Sequence, residues 1–284
     1  MRFAYFPGCK IPREMPAYDR AVRAVMNALG VQLVEPMFNC CGYPVRHQDF
    51  LAGMFSAARN IALARAHRQT LLTPCQCCYG NLKQAQYWMV HSPELRREIV
   101  PRLAEEGLEW EDGLRVVHLL TALDEDIGPD RIRRRVRSPL AGLSVAAHYG
   151  CHALRPAEVT RFDDPLAPTL FERLVALTGA EPVDWPLRLE CCGNPLWGRN
   201  NRLSIRLMRR KTADASAAGA TLMATACTHC QIQFEAIQTE LGKGEQTVLS
   251  VLLYPQLLGL SFGIAPAALG MDRNPLARGW DIGG

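Results

Sequence analysis

Two similar α/β domains, each a mostly parallel sheet flanked by helices, form the architecture that this sequence predicts. Three observations carry it. Strand-like apolar runs alternate with helix-like stretches, the same order of elements occurs twice, and every cysteine cluster falls at or just after a predicted strand end. Alternation of this kind builds parallel sheets, and ligand sites form at the carboxyl ends of their strands. A chain of 284 residues has room for two such domains.

In the first half, Phe3–Phe6 (FAYF) reads as a strand leading to Gly8-Cys9. Asp19–Leu29 reads as a helix, with Val22, Val25, Met26 and Leu29 on one face and Gly30 as its stop. VQLVEP is a second strand that leads to Cys40-Cys41-Gly42. A helix from Asp49 to His67 then precedes QTLLTP, a third strand running into Cys75-Gln76-Cys77-Cys78. The second half repeats the order. LSVAAHY leads to Gly150-Cys151, a helix spans Leu166–Leu177, and AEPVDWP leads to Cys191-Cys192-Gly193. A helix over Arg202–Ala217 precedes TLMATA, which ends in Cys227-Thr228-His229-Cys230. Each half closes on an apolar run, RVVHLLTAL and TVLSVLLYP.

The domains are therefore expected at 1–129 and 141–284, joined by a basic linker at 130–140. The linker holds five arginines between Arg131 and Arg137. A solvated or salt-bridged surface is favoured there over an anion-attracting patch.

Composition narrows the function classes. A hydrophobic content of 48% with 21% charged residues is that of a soluble globular protein. The net charge of +4 calls for no nucleic acid. The N-terminus has no basic region followed by a long apolar stretch, so a cytoplasmic protein is expected. Val248–Met271 lacks charge, but Pro255, Gly259, Gly263, Pro266 and Gly270 interrupt it. It reads as a strand, a buried helix and a loop, without membrane contact. The glycine-rich tail around Trp280 reads as a loosely ordered end. No G-x-G-x-x-G, P-loop or G-x-S-x-G motif is present, so flavin and NAD are not expected in this chain.

Eleven cysteines, an odd number with several adjacent or two apart, make a poor disulfide framework. Ten of them follow the duplicated pattern: Cys9, Cys40, Cys41, Cys75 and Cys78, then Cys151, Cys191, Cys192, Cys227 and Cys230. A CxxC at a helix start puts two sulfurs on one metal centre, where the helix N-terminus favours thiolate. Structural zinc takes four ligands. Adjacent residues on extended chain point in opposite directions, and Gly42 and Gly193 could supply the turns that bring both sulfurs of a doublet inward. Five thiols with a doublet suit a core of several irons better than one zinc ion, and zinc stays open. Cys77 is left over, and on extended backbone it reads as a buried spectator. His148, His152 and His229 sit beside these cysteines, and Arg155 follows in CHALRP. Ordinary packing or local pairing is the simpler role for each, with cluster hydrogen bonding or substrate contact the alternative.

The set FPGC, CCGYP, YGCHALRP, CCGNP and two CxxC pairs is similar to the cysteine-rich CCG domain. Two copies in a chain of this length resemble the B-type subunit of heterodisulfide reductase. The resemblance implies an iron–sulfur oxidoreductase acting on sulfur groups, with two noncubane [4Fe–4S] clusters, each held by one five-cysteine set. It implies a disulfide or persulfide bond cleaved or formed between them by paired one-electron transfers. It also implies a ferredoxin-like iron–sulfur subunit and a flavin-containing subunit as partners. The alternatives are an electron-relay subunit of a quinone-linked succinate- or glycolate-type oxidoreductase and a zinc-stabilised scaffold.

Overall fold

The computed structural model describes residues 1–238 and 249–273. The Trp280 tail and the first residues of the last apolar run lie outside them.

Two four-stranded sheets, entirely parallel, make up the two halves. In the first, β1 (Arg2–Tyr5), β2 (Gln32–Val34), β3 (Leu71–Thr73) and β4 (Val116–His118) lie in the order β2-β1-β3-β4. In the second, β5 (Ser144–His148), β6 (Glu181–Val183), β7 (Leu222–Thr225) and β8 (Ser250–Leu253) take the order β6-β5-β7-β8. Register pairs Phe3 with Leu33 in one sheet and Ala146 with Met223 in the other. The inner strands are short uninterrupted apolar runs because both their faces are covered, which is why they show no alternation.

The helices of the first half are α1 (Lys10–Glu14), α2 (Pro16–Ala28), α3 (Phe50–Ala66), α4 (Gln76–His91) and α5 (Pro93–Glu105). Then come α6 (Leu119–Thr121), a π-helical turn over Ala122–Ile127, and α7 (Pro129–Arg133). The second half has α8 (Cys151–Leu154), α9 (Ala157–Thr160), α10 (Leu170–Leu177), α11 (Asn201–Ala217), α12 (Thr228–Ile232) and α13 (Tyr254–Ser261). Pro16 opens α2, whose buried face carries Val22, Val25 and Met26. Asp49 caps α3 by accepting from the Ala52 amide at 2.9 Å, and Asn200 caps α11 by accepting from Leu203 at 3.1 Å.

One expectation changes. The helix expected from Leu166 begins at Leu170, because Asp163 and Asp164 accept the backbone amides of Leu166, Ala167, Thr169 and Leu170 and hold that stretch as a loop. The trailing apolar run of the first half is a strand for three residues and then turns helical, and that of the second half folds as the expected strand and buried helix. The uncharged segment folds as β8, the buried α13 and a short 3₁₀ turn, and no described helix is long and apolar enough to cross a membrane. The basic stretch is partly ordered structure: α7 buries Ile132, Arg131 donates to the Leu29 carbonyl, and Arg133 pairs with Asp130 at 2.7 Å.

The halves are stitched together at several points. Tyr79 on α4 donates to Thr160 of α9 at 2.7 Å. His118, fully buried at the end of β4, sits between the Pro74 and Ala226 carbonyls at 3.0 and 3.2 Å. Both partners of its Nε2 are acceptors, so that nitrogen carries the proton, and burial keeps the ring neutral by lowering its pKa to about 4. These two carbonyls immediately precede Cys75 and Cys227, so His118 fixes the starts of both CxxC turns relative to each other.

Candidate metal centres

In each sheet the strand order reverses between two inner strands, β1 and β3 in the first and β5 and β7 in the second. At such a switch point the loops diverge and leave a crevice at the carboxyl ends. Cys9 follows β1 and Cys75 follows β3, while Cys151 follows β5 and Cys227 follows β7. The doublets follow β2 and β6 on the neighbouring loops. Topology therefore delivers all ten patterned cysteines to two crevices.

Within each crevice the sulfurs form a connected string. In the first half Cys9 contacts Cys40 at 3.7 Å, Cys40 interacts with Cys41, Cys41 with Cys78, and Cys78 with Cys75. The second half repeats it: Cys151 with Cys191, Cys191 with Cys192, Cys192 with Cys230, and Cys230 with Cys227. All are free thiols. Both sulfurs of each doublet face inward because the chain turns at Gly42 (φ +84°) and Gly193 (φ +90°). Cys75 and Cys227 are the N-cap residues of α4 and α12, as the spacing predicts.

The cage behind each doublet is polar and satisfied. Asn81 donates to the Cys41 carbonyl at 2.6 Å, Ser56 to the Cys40 carbonyl at 2.7 Å, and Ser204 to the Gly193 carbonyl at 2.9 Å. No role for these residues follows from composition or spacing. Asn81 alone had a visible signal, since it is polar on the same helix as the CxxC.

The thiols govern one another's ionisation. Cys40 is pulled down to about 2 by hydrogen bonds from Cys41 and then Cys9, and Cys191 to about 2 by Cys151 and then Cys192. Their partners move the other way. Cys9 and Cys41 are pushed up by Cys40, Cys151 by Cys191, and Cys192 by Cys191 to about 12. Cys78 and Cys230, buried in the crevices, are raised by Cys41 and Cys192 respectively. So many adjacent sulfurs cannot all be thiolates without cations among them. A metal bound among them would supply the cations and take the protons off. Five soft donors strung along a crevice fit a polynuclear iron–sulfur core, and among the described residues no three ligating side chains are gathered as for one ion.

The two crevices adjoin. Cys75 meets Thr228 across the domain boundary at 3.1 Å. Cys77 corrects the expectation of a spectator. It lies within α4, not on extended chain, so its sulfur swings toward the other half: 3.8 Å from Cys227 and 3.1 Å from Nδ1 of His152. Two small cavities, of about 30 and 10 Å³, flank this point, and Cys77 and His229 line both. Tyr43 closes the space, with its hydroxyl 3.4 Å from Nε2 of His152 and its ring against His152 and His229. His229 also bonds Asn194 at 2.7 Å. His148 is buried between Trp185 and Phe234 with neither ring nitrogen partnered. Arg155 is exposed and lines neither cavity, so the structure does not bring it to the thiols. A larger open groove, lined by Tyr79, Lys83, Tyr87 and Arg161, contains no cysteine.

The profile described as "CCG: Cysteine-rich domain" matches residues 3–83 and 145–235, one copy around each crevice. The chain is 31% identical over 282 residues to the B-type subunit of the ferredoxin/F(420)H(2)-dependent CoB-CoM heterodisulfide reductase of Methanosarcina acetivorans, covering 97% of this chain and 94% of that one. It is 30% identical over 277 residues to the 8-methylmenaquinol:fumarate reductase membrane anchor subunit of Wolinella succinogenes, covering 96% of each. Among solved structures, a hypothetical protein from Helicobacter pylori matches with a TM-score of 0.75 at 14% identity. That match covers 96% of this chain but about half (51%) of the longer one, and it supports the fold alone.

Proposed function

The chain belongs to the family of heterodisulfide reductase B-type subunits, built from two CCG cysteine-rich domains, and from that premise we propose that it is the catalytic subunit of a heterodisulfide-reductase-like complex. Cys9, Cys40, Cys41, Cys75 and Cys78 would hold one noncubane [4Fe–4S] cluster, and Cys151, Cys191, Cys192, Cys227 and Cys230 the other. The supporting observation is that the two thiol strings meet where Cys75 interacts with Cys227, with Cys77 beside them 3.8 Å from Cys227. Iron–sulfur clusters supply electrons one at a time, so a pair facing one S–S bond meets its two-electron demand.

The chain's own residues shape the space where that bond would lie. Tyr43, His152 and His229 surround it, and burial lowers both imidazoles, His152 to about 4, so they stay neutral at physiological pH. A neutral imidazole offers one donor and one acceptor, which suits it to orient a sulfur substrate without adding charge. Partner subunits of the ferredoxin-like and flavin types, a cytoplasmic location and a disulfide or persulfide substrate belong to the same proposal.

The fumarate reductase relative motivates a second reading, in which the same centres relay electrons to or from a quinone pool. The two separate in one anaerobic experiment. Protein reduced with dithionite and freed of excess reductant is mixed with a small aromatic disulfide or with a menaquinone analogue. Reoxidation by the disulfide with release of two thiols for every two electrons is the expected result. Reoxidation by the quinone alone would replace the proposal with the relay.

A further inference from the structure

The duplication is broken at one buried position. Asn60 follows Gly42, and Lys211 follows Gly193, by the same eighteen residues, on α3 and α11 respectively. The two side chains do the same mechanical work. Asn60 is fully buried and donates to the Asn39 and Cys40 carbonyls at 3.2 and 3.1 Å. Lys211 is 1% exposed and donates to the Glu190 carbonyl at 3.0 Å and to that of Leu187. Each thus holds the chain that enters its cysteine doublet. One is neutral and the other is an amine.

Nothing among the described residues pairs Lys211 with a carboxylate. Its Nζ sits 4.7 Å from the centroid of the buried Trp185 ring. A buried ammonium without a counter-charge is strongly disfavoured. The acidic groups whose charge bears on it are Cys230 and Cys192 of the second thiol set, then the Glu190 carboxylate and Cys191. On the first side the cations near the thiols are either paired or open to solvent, Arg46 keeping its charge from a half-buried position rather than a fully buried one. Lys10 pairs with Glu14 at 2.8 Å in part-exposed surroundings, and Arg46 bonds the neutral Asn81 and Gln84.

We propose that Lys211 is a built-in counter-charge of the C-terminal centre, which makes that centre the more easily reduced of the two. The inference rests on the reading that each thiol set holds an iron–sulfur cluster. One-electron reduction adds a negative charge to the cluster, and a nearby cation shielded from water stabilises the product. Asn60 offers the N-terminal cluster no such charge. An electron delivered to either centre therefore settles on the C-terminal one, and the two halves are functionally unequal despite their common architecture.

The test is a mediated redox titration of iron-replete protein, followed by electron paramagnetic resonance and paired with iron analysis of each sample. Wild-type protein is expected to show two separated one-electron steps. K211N installs the residue that already serves the first half. It is expected to shift the more easily reduced centre at least about tenfold toward its oxidised form, about 59 mV for one electron. K211R is expected to keep the wild-type value, which a purely mechanical role of the side chain does not predict. N60K is expected to move the other centre in the opposite direction, and it carries the test alone should K211N fail to retain iron. Potentials unmoved in iron-replete K211N and N60K would overturn the inference while leaving the cluster reading intact. Wild-type protein without iron would remove both.

Discussion

Cys41→Ser protein, isolated without oxygen, is expected to carry about half the iron of the wild type, with the loss confined to the N-terminal centre. Cys41 is 3% exposed and lies in the middle of its thiol string, interacting with Cys40 on one side and Cys78 on the other. Serine keeps the size but is a poor, hard donor for a soft metal. Losing the sulfur breaks the string where no neighbouring thiol can substitute. The C-terminal string shares no residue with it, so Cys192→Ser is expected to give the complementary loss, and the double variant to carry almost no iron. Iron per chain and visible absorption check this. A single serine variant that kept full iron would mean that the doublet contributes only one ligand.

Gly42→Ala is expected to be the more damaging of two matched glycine substitutions. Gly42 has φ +84°, a region that costs an L-residue about 1–2 kcal/mol. A Cβ there would also run into the Gly53 carbonyl, with its carbon at 2.9 Å and that backbone fixed within α3. Overpacking of this type adds about 1–3 kcal/mol. At Gly193 the φ is +90° and the nearest atom, the Ser204 backbone oxygen within α11, lies at 2.8 Å, so the overlap is of the same kind but shallower. Denaturant unfolding of the anaerobic proteins should show a loss of about 3 kcal/mol or more for Gly42→Ala and a smaller loss for Gly193→Ala. Equal stability of the two variants, or a loss under about 1 kcal/mol for Gly42→Ala, would contradict the account of the doublet turn.

Much of this architecture was legible because its signals are local. Short apolar runs ending at Gly-Cys, Cys-Cys-Gly or CxxC mark both the strand and its carboxyl end in one glance, and the repeat supports each. The boundaries that differ have local causes of another kind. An apolar run carries no period to show where strand becomes helix, so the turn from β4 into α6 was hidden. The late start of α10 depends on where the Asp163 and Asp164 carboxylates point. The short α1 and the early start of α2 at Pro16 lacked enough periodic residues to announce themselves.

The site divides in the same way. Which cysteines cluster was visible in the spacing, but which direction Cys77 faces depended on the helix beginning at Gln76 and on the second domain lying against it. His118 and Asn60 look unremarkable in sequence, since neither adjoins a cysteine. Only three-dimensional proximity reveals that one joins the two CxxC turns and the other anchors a doublet. Lys211, in a run of basic residues on an amphipathic helix, reads as a solvated charge until the register of the repeat places it opposite Asn60.

Two iron–sulfur clusters, one in each five-thiol crevice, require a definite metal content. Metal and acid-labile sulfide analysis of the anaerobically isolated protein is expected to give about eight irons per chain, a matching amount of sulfide and broad visible absorption that bleaches on reduction. One or two zinc ions per chain, with no iron and no visible absorption, would contradict the two-cluster assignment.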